Sequence, residues 1–234
     1  MEIIGYNYVI TYEGNMKFRA FTLAETLITL GILGIVSALT LPSVITRYQK
    51  NVTTSKLKKI YSIFYNAYNR AEQDFGSSDN WNYPQNTENF TIHDFWNTYL
   101  SPYIQTEEFD RSYIATNING IDAGFIGNSI AMGVKVKMPD GSCAFIWNNN
   151  QFLGLAVDIN CQRKPNVVGK DIFDIAELYW AGKSFKTTYV PKNEERRKIY
   201  INECKNTNYV SGSPSRCFGV FVYDGWTFKK DYPW

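Results

Sequence analysis

Residues 21–45 read FTLAETLITLGILGIVSALTLPSVI, and Glu25 is the only formal charge among them. As a helix rising about 1.5 Å per residue, a run of this length crosses a hydrocarbon layer of about 30 Å. The segment therefore predicts a membrane-spanning helix, and whatever follows must be built beyond its far end. A cleaved secretory signal is the rival reading, since Lys17 and Arg19 precede the apolar run. Against it, no A-x-A-like site follows at a suitable place and the run is longer than a signal core. Pro42 removes one helical hydrogen bond and is expected to kink the helix without ending it. Gly31 and Gly34 loosen the helix upstream.

The helical pattern continues past the apolar run. Leu57, Ile60, Tyr61, Phe64, Tyr68, Ala71 and Phe75 recur at steps of three and four, the mark of one buried face, while Lys56, Lys58, Lys59, Arg70 and Glu72 occupy the others. Gly76, Ser77 and Ser78 supply a C-terminal stop. One helix of about 55 residues is expected, apolar all round at first and amphipathic afterwards.

A formal net charge of +2, from 24 Lys+Arg against 22 Asp+Glu, is too small to draw nucleic acid or lipid headgroups by itself. Any such binding must come from a local patch. The cysteines, Cys143, Cys161, Cys204 and Cys217, are even in number and suit two disulfides in an oxidising compartment, with all three connectivities open. Zinc is the alternative use of four cysteines, but no C-x-x-C pair is present. There is no Gly-rich phosphate loop, no nucleophile with a base and no catalytic metal spacing, so an enzyme is not expected. The only histidine, His93, reads as a helix-surface residue.

Residues 77–89 read as a loop. In TIHDFWNTYL, Thr91 is the expected N-cap of a short helix stopped by Pro102. Val134, Val136 and Met138 alternate with Lys135 and Lys137, Pro139, Asp140 and Gly141 make a turn, and CAFIWN and FLGLAVDI flank a second turn at residues 148–151. These predict three antiparallel strands in a meander, with FGVFVYDGW as a further apolar strand near the end. Such a sheet needs a cover, and the stripe at residues 57–75 is available for it. The fold class expected is α+β: a long N-terminal transmembrane and amphipathic helix packed on a C-terminal antiparallel sheet. Asp158, Asn160 and Asp171 are candidate oxygen ligands for calcium, although EF-hand spacing is absent and Asx turns explain the same residues. No other cofactor is indicated.

The run AFTLAETLITLGILGIVSALTLP resembles the class III signal of type IV pilins and type II secretion pseudopilins. The resemblance implies the type IV pilin fold and a leader at residues 1–20. It also implies a peptidase cut between Ala20 and Phe21, N-methylation of Phe21, and a role for Glu25 in assembly. Ala20 departs from the glycine usual before the cut. An isolated carboxylate inside a bilayer is costly, whereas the α-amine made at Phe21 can neutralise Glu25 of a neighbouring subunit. Residues 1–15 carry Glu2 and Glu13 and no basic residue, so translation is expected to start at Met16. The remaining division is a transmembrane half of the helix at 21–46, an amphipathic half at 47–76 and a globular domain at 77–234.

The partners implied are the prepilin peptidase and methyltransferase, other pilin or pseudopilin subunits, an inner-membrane assembly platform and, before assembly, membrane lipid. No nucleic acid is indicated. Arg47, Lys50, Lys56, Lys58 and Lys59 follow the span, so a bare positive-inside count places the domain in the cytoplasm. The cysteines and the resemblance instead predict a bacterial inner-membrane protein with its domain outside the cytoplasm. Likeness to pilin C-terminal disulfide loops and DGW…DYPW tails implies Cys204 with Cys217, which leaves Cys143 with Cys161. The function implied is a structural subunit of a pilus-like or pseudopilus filament. A non-polymerising, single-pass anchored binding protein is the alternative.

Overall fold

A computed structural model describes residues 21–84, 90–109, 114–123, 133–148, 152–161, 163–179, 185, 187, 189–206 and 215–234. The expected leader, with Met16 and Ala20, lies outside the described residues, as does most of the turn expected at 148–151. The chain divides into two compact units, Met1–Arg47 and Tyr48–Trp234.

Helix α1 is a single 53-residue α-helix, Leu23–Phe75, with Pro42 inside it. Gly76 ends it at φ +80°, the left-handed conformation that only glycine adopts without strain. In the first unit the apolar side chains of α1 are exposed, from Leu23 at 80% to Ile45 at 48%. Its hydroxyl residues bond back into the helix: Thr26 Oγ1 donates to the Leu23 carbonyl at 2.8 Å, Thr40 Oγ1 to Val36 and Thr46 Oγ1 to Pro42, both at 2.9 Å. That pairing lets the run carry threonines through an apolar medium without unmet donors.

In the second unit the stripe on α1 is buried at Thr53, Leu57, Ile60, Phe64, Ala67, Tyr68 and Ala71. Phe75, expected within it, is 47% exposed because it lies at the helix end, where Tyr99 meets it edge-on at 5.2 Å. Thr91 opens α2 (Ile92–Phe95) with a reciprocal capping box: Asp94 N donates to Thr91 Oγ1, and Thr91 N donates to Asp94 Oδ2. A π turn, Trp96–Leu100, and a 3₁₀ turn carrying Pro102 complete that helical segment.

The sheet has five strands in sequence order, β1 (Glu107–Glu108), β2 (Val134–Lys137), β3 (Cys143–Asn148), β4 (Phe152–Asp158) and β5 (Ile172–Tyr179), each antiparallel to the next. β2, β3 and β4 are the predicted meander, whereas β1 and β5 extend it beyond the expectation. Ile172, Phe173, Ile175 and Ala176 on β5 are all buried, so both of its faces are covered. Trp147 pairs with Gly154 across β3 and β4, and its indole occupies the space a side chain at 154 would need.

FGVFVYDGW is not a strand. Its first part lies in helix α4 (Ser215–Tyr223), which packs against β5 and against α3 (Glu194–Lys205). Cys217, Phe218, Val220 and Phe221 are buried, a spacing of i, i+1, i+3 and i+4 that defines a helical face. Gly225, at φ +77°, closes α4, with Gly225 N donating to Val222 O and Trp226 N to Phe221 O.

The α1 stripe and the buried sheet residues belong to one core cluster, as the need for a cover predicts. The ring partners of the stripe lie elsewhere, however: Tyr61 meets Phe218 at 6.2 Å and Trp226 at 5.0 Å, and Phe64 meets Trp96 at 6.4 Å.

Candidate functional site

The charged residue of the apolar run sits on the first turn of α1. Thr22 Oγ1 accepts from Glu25 N at 3.2 Å, while Thr22 N and Thr22 Oγ1 donate to Glu25 Oε2 at 2.8 and 2.9 Å. This is a capping box, which satisfies two otherwise unpaired donors at the helix start. Its T-x-x-E signal is present in the sequence but was hidden behind the carboxylate's other possible role. Phe21 is 83% exposed in front of it. Ala20, the other half of the expected cut, lies outside the described residues.

The calcium candidates come together, but as a turn. Asp158 Oδ1 accepts from Asn160 N at 3.0 Å. Asp171 Oδ2 accepts from Asn166 N at 2.9 Å and Asn160 Nδ2 at 3.2 Å, and its Oδ1 accepts from Val167 N at 2.5 Å. Burial pushes the Asp171 carboxyl up, against the pull of those donors. Asn160 Oδ1 and Asn166 Oδ1 are buried without a hydrogen-bond partner among the described residues. Two amide oxygens beside a carboxylate already filled by N–H donors do not make a hard-cation cage. Among the described residues no group of three or more His, Cys, Asp or Glu is placed to hold a metal.

Both expected disulfides are formed, Cys143–Cys161 with Cα atoms 4.9 Å apart and Cys204–Cys217 at 5.0 Å. The register pairs Cys143 with Asp158, three residues before its disulfide partner Cys161. Cys204–Cys217 joins α3 to α4. Against it lie Gly169, where an added Cβ would stand 2.9 Å from Cys217 Sγ, and Tyr232, whose hydroxyl donates to the Gly169 carbonyl at 2.9 Å.

Arg197 on α3 is the polar centre that sequence reading missed. Its guanidinium is 4% exposed and forks onto two carboxylates: Nε and Nη2 donate to Asp224 at 2.7 and 2.6 Å, and Nη1 and Nη2 to Asp231 at 2.6 and 2.9 Å. Arg197 holds the Asp231 carboxyl down at about 2. In NEERRKIYINE the arginine reads as one charge of a solvated helix, so nothing local marks it. His93 is half-exposed, with Nδ1 3.8 Å from Glu108 Oε2, and stands in no catalytic grouping among the described residues.

Fold and segment together define an α+β protein whose N-terminal apolar helix is long enough to cross a membrane and whose domain carries two disulfides. The chain belongs to a family of unknown function (DUF6613), whose model matches residues 43–234. No curated protein and no solved structure matches it.

Proposed function

We propose that the chain is a pilin-like structural subunit, cut before Phe21, N-methylated there, and assembled through helix packing into a pilus-like or pseudopilus filament. The observation that carries this reading is α1 itself, whose first unit exposes its apolar residues on every side while its second half is fixed in a folded core. Exposed apolar surface of that extent needs lipid, then like helices, around it. The signal-like residues from Phe21 to Glu25 say which: a carboxylate at the helix start waits for an amine that the cut creates, and Glu25 Oε1 is the atom offered to it. The peptidase, neighbouring subunits and an inner-membrane platform are the partners, with the domain outside the cytoplasm, where disulfides persist. Its chemistry is done to it rather than by it.

One observation favours the anchored, non-polymerising alternative: Thr22 already satisfies Glu25 within a single chain. Glu25→Gln separates the two, because glutamine at this position keeps the capping box and loses the charge. Loss of filament assembly with membrane insertion retained is the outcome for a subunit. Membrane insertion of wild type and variant alike, with no filament formed by either, supports the anchor.

A further inference from the structure

We propose that Lys50, Lys170, Lys229 and Lys230, with Trp234, form a docking surface for the anionic headgroups of a phospholipid bilayer such as phosphatidylglycerol presents. Three separate parts of the chain meet there. Lys50 Nζ lies 5.6 Å and Lys170 Nζ 5.9 Å from the centre of the Trp234 ring, and Lys50 Nζ also donates to the Lys229 carbonyl at 3.5 Å. Lys229 Nζ lies 2.9 Å from Asp224 Oδ1 and is half-exposed, and Lys230 is exposed.

The local charge decides the partner's sign. Counting side chains, Lys50, Lys170, Lys229, Lys230 and Arg197 face Asp224, Asp231 and, beside Lys229, Glu194, a surplus of two, as large as the formal charge of the whole chain. Asp224 and Asp231 are engaged by Arg197, so the lysine ammoniums set the field.

Position decides the partner's kind. Lys50 follows Ile45, the last residue of the apolar run, by five residues, so even a fully extended chain holds it within about 17 Å of that residue. A bilayer spanned by residues 21–45 therefore has its headgroup level within reach of Lys50. Lysine ammoniums beside an indole ring match the headgroup level, where amphipathic rings sit and each cation is drawn to anionic lipid. Lys50, one of the basic residues that a bare count would assign to the cytoplasm, then has a partner in the leaflet.

This inference rests on the membrane span and not on filament assembly. The full chain is reconstituted in phosphatidylcholine bilayers with a trace of spin-labelled phosphatidylglycerol or phosphatidylcholine, and the motionally restricted fraction gives relative association. Phosphatidylglycerol is expected to be preferred by about threefold, falling toward parity in high salt and in K50Q/K170Q/K230Q, which leaves Lys229 and the indole in place. The same preference in the triple variant overturns the proposal. So does a loss of single-stranded oligonucleotide binding in that variant with lipid selectivity unchanged, which reassigns the patch to nucleic acid. A chain that inserts without selectivity sinks this inference alone, whereas one that fails to enter the bilayer sinks the span as well.

Discussion

Arg197 shows how one side chain organises the end of the chain. Its guanidinium holds Asp224, whose side chain is fully buried, and Asp231, which is 57% exposed. Arg197→Ala strands a buried carboxylate, and the expected loss is about 3–5 kcal/mol, read from chemical denaturation. Arg197→Lys restores charge without the fork and is expected to recover only part of that. The pH dependence follows from Asp231. Its folded value of about 2 lies below the ordinary carboxylate range, so its contribution is complete above about pH 4 and is lost as pH falls toward 2. Asp231→Asn should remove that acid arm from the difference between the two stability profiles. The size of the arm is reduced by solvent screening at a site this exposed, and it should shrink further in salt. None of this was legible locally, because a buried arginine and a surface arginine look alike inside a run of charges. By contrast the Thr91 cap and the Gly76 stop were legible, since each is fixed by its immediate neighbours.

At the level of elements, the α4 segment separates what local pattern can and cannot decide. FGVFVY is rich in aromatic and β-branched residues, which favour a strand. Three longer-range facts favour the helix: the bond of Cys217 to α3, the cover β5 requires, and the approach of α4 to the backbone near residue 189. A Cβ at Gly219 would stand 2.1 Å from the Tyr189 carbonyl oxygen. Gly219→Ala is therefore expected to destabilise the domain by about 1–3 kcal/mol, measured by thermal or denaturant unfolding, because main chain must move to admit it. A variant as stable as wild type would mean the helix packs elsewhere. The Cys204–Cys217 bond closes a sequence separation of 13, worth about 3 kcal/mol in the chain-entropy model. Cys204→Ala/Cys217→Ala should lower the denaturation midpoint accordingly under oxidising conditions and leave the reduced protein little changed. The β2–β4 meander was readable because its turns are short and its alternation strict. β5 was not, since Asp174 and Glu177 break the apolar run and burial on both faces erases the alternation.

For the whole molecule, the apolar run is long enough to cross a membrane, whereas the two disulfides of the domain suit an oxidising phase. α1 belongs to both and is the element the sequence declared most openly, because its length and periodicity need no tertiary context. On the proposed reading, Glu25 acquires a cationic partner only when the chain is cut before Phe21. Mass spectrometry of the chain purified from its native membrane tests this directly. The expected result is a mature N-terminus at Phe21 carrying one added methyl group. A chain that keeps residues preceding Phe21, or begins at another position, would contradict it.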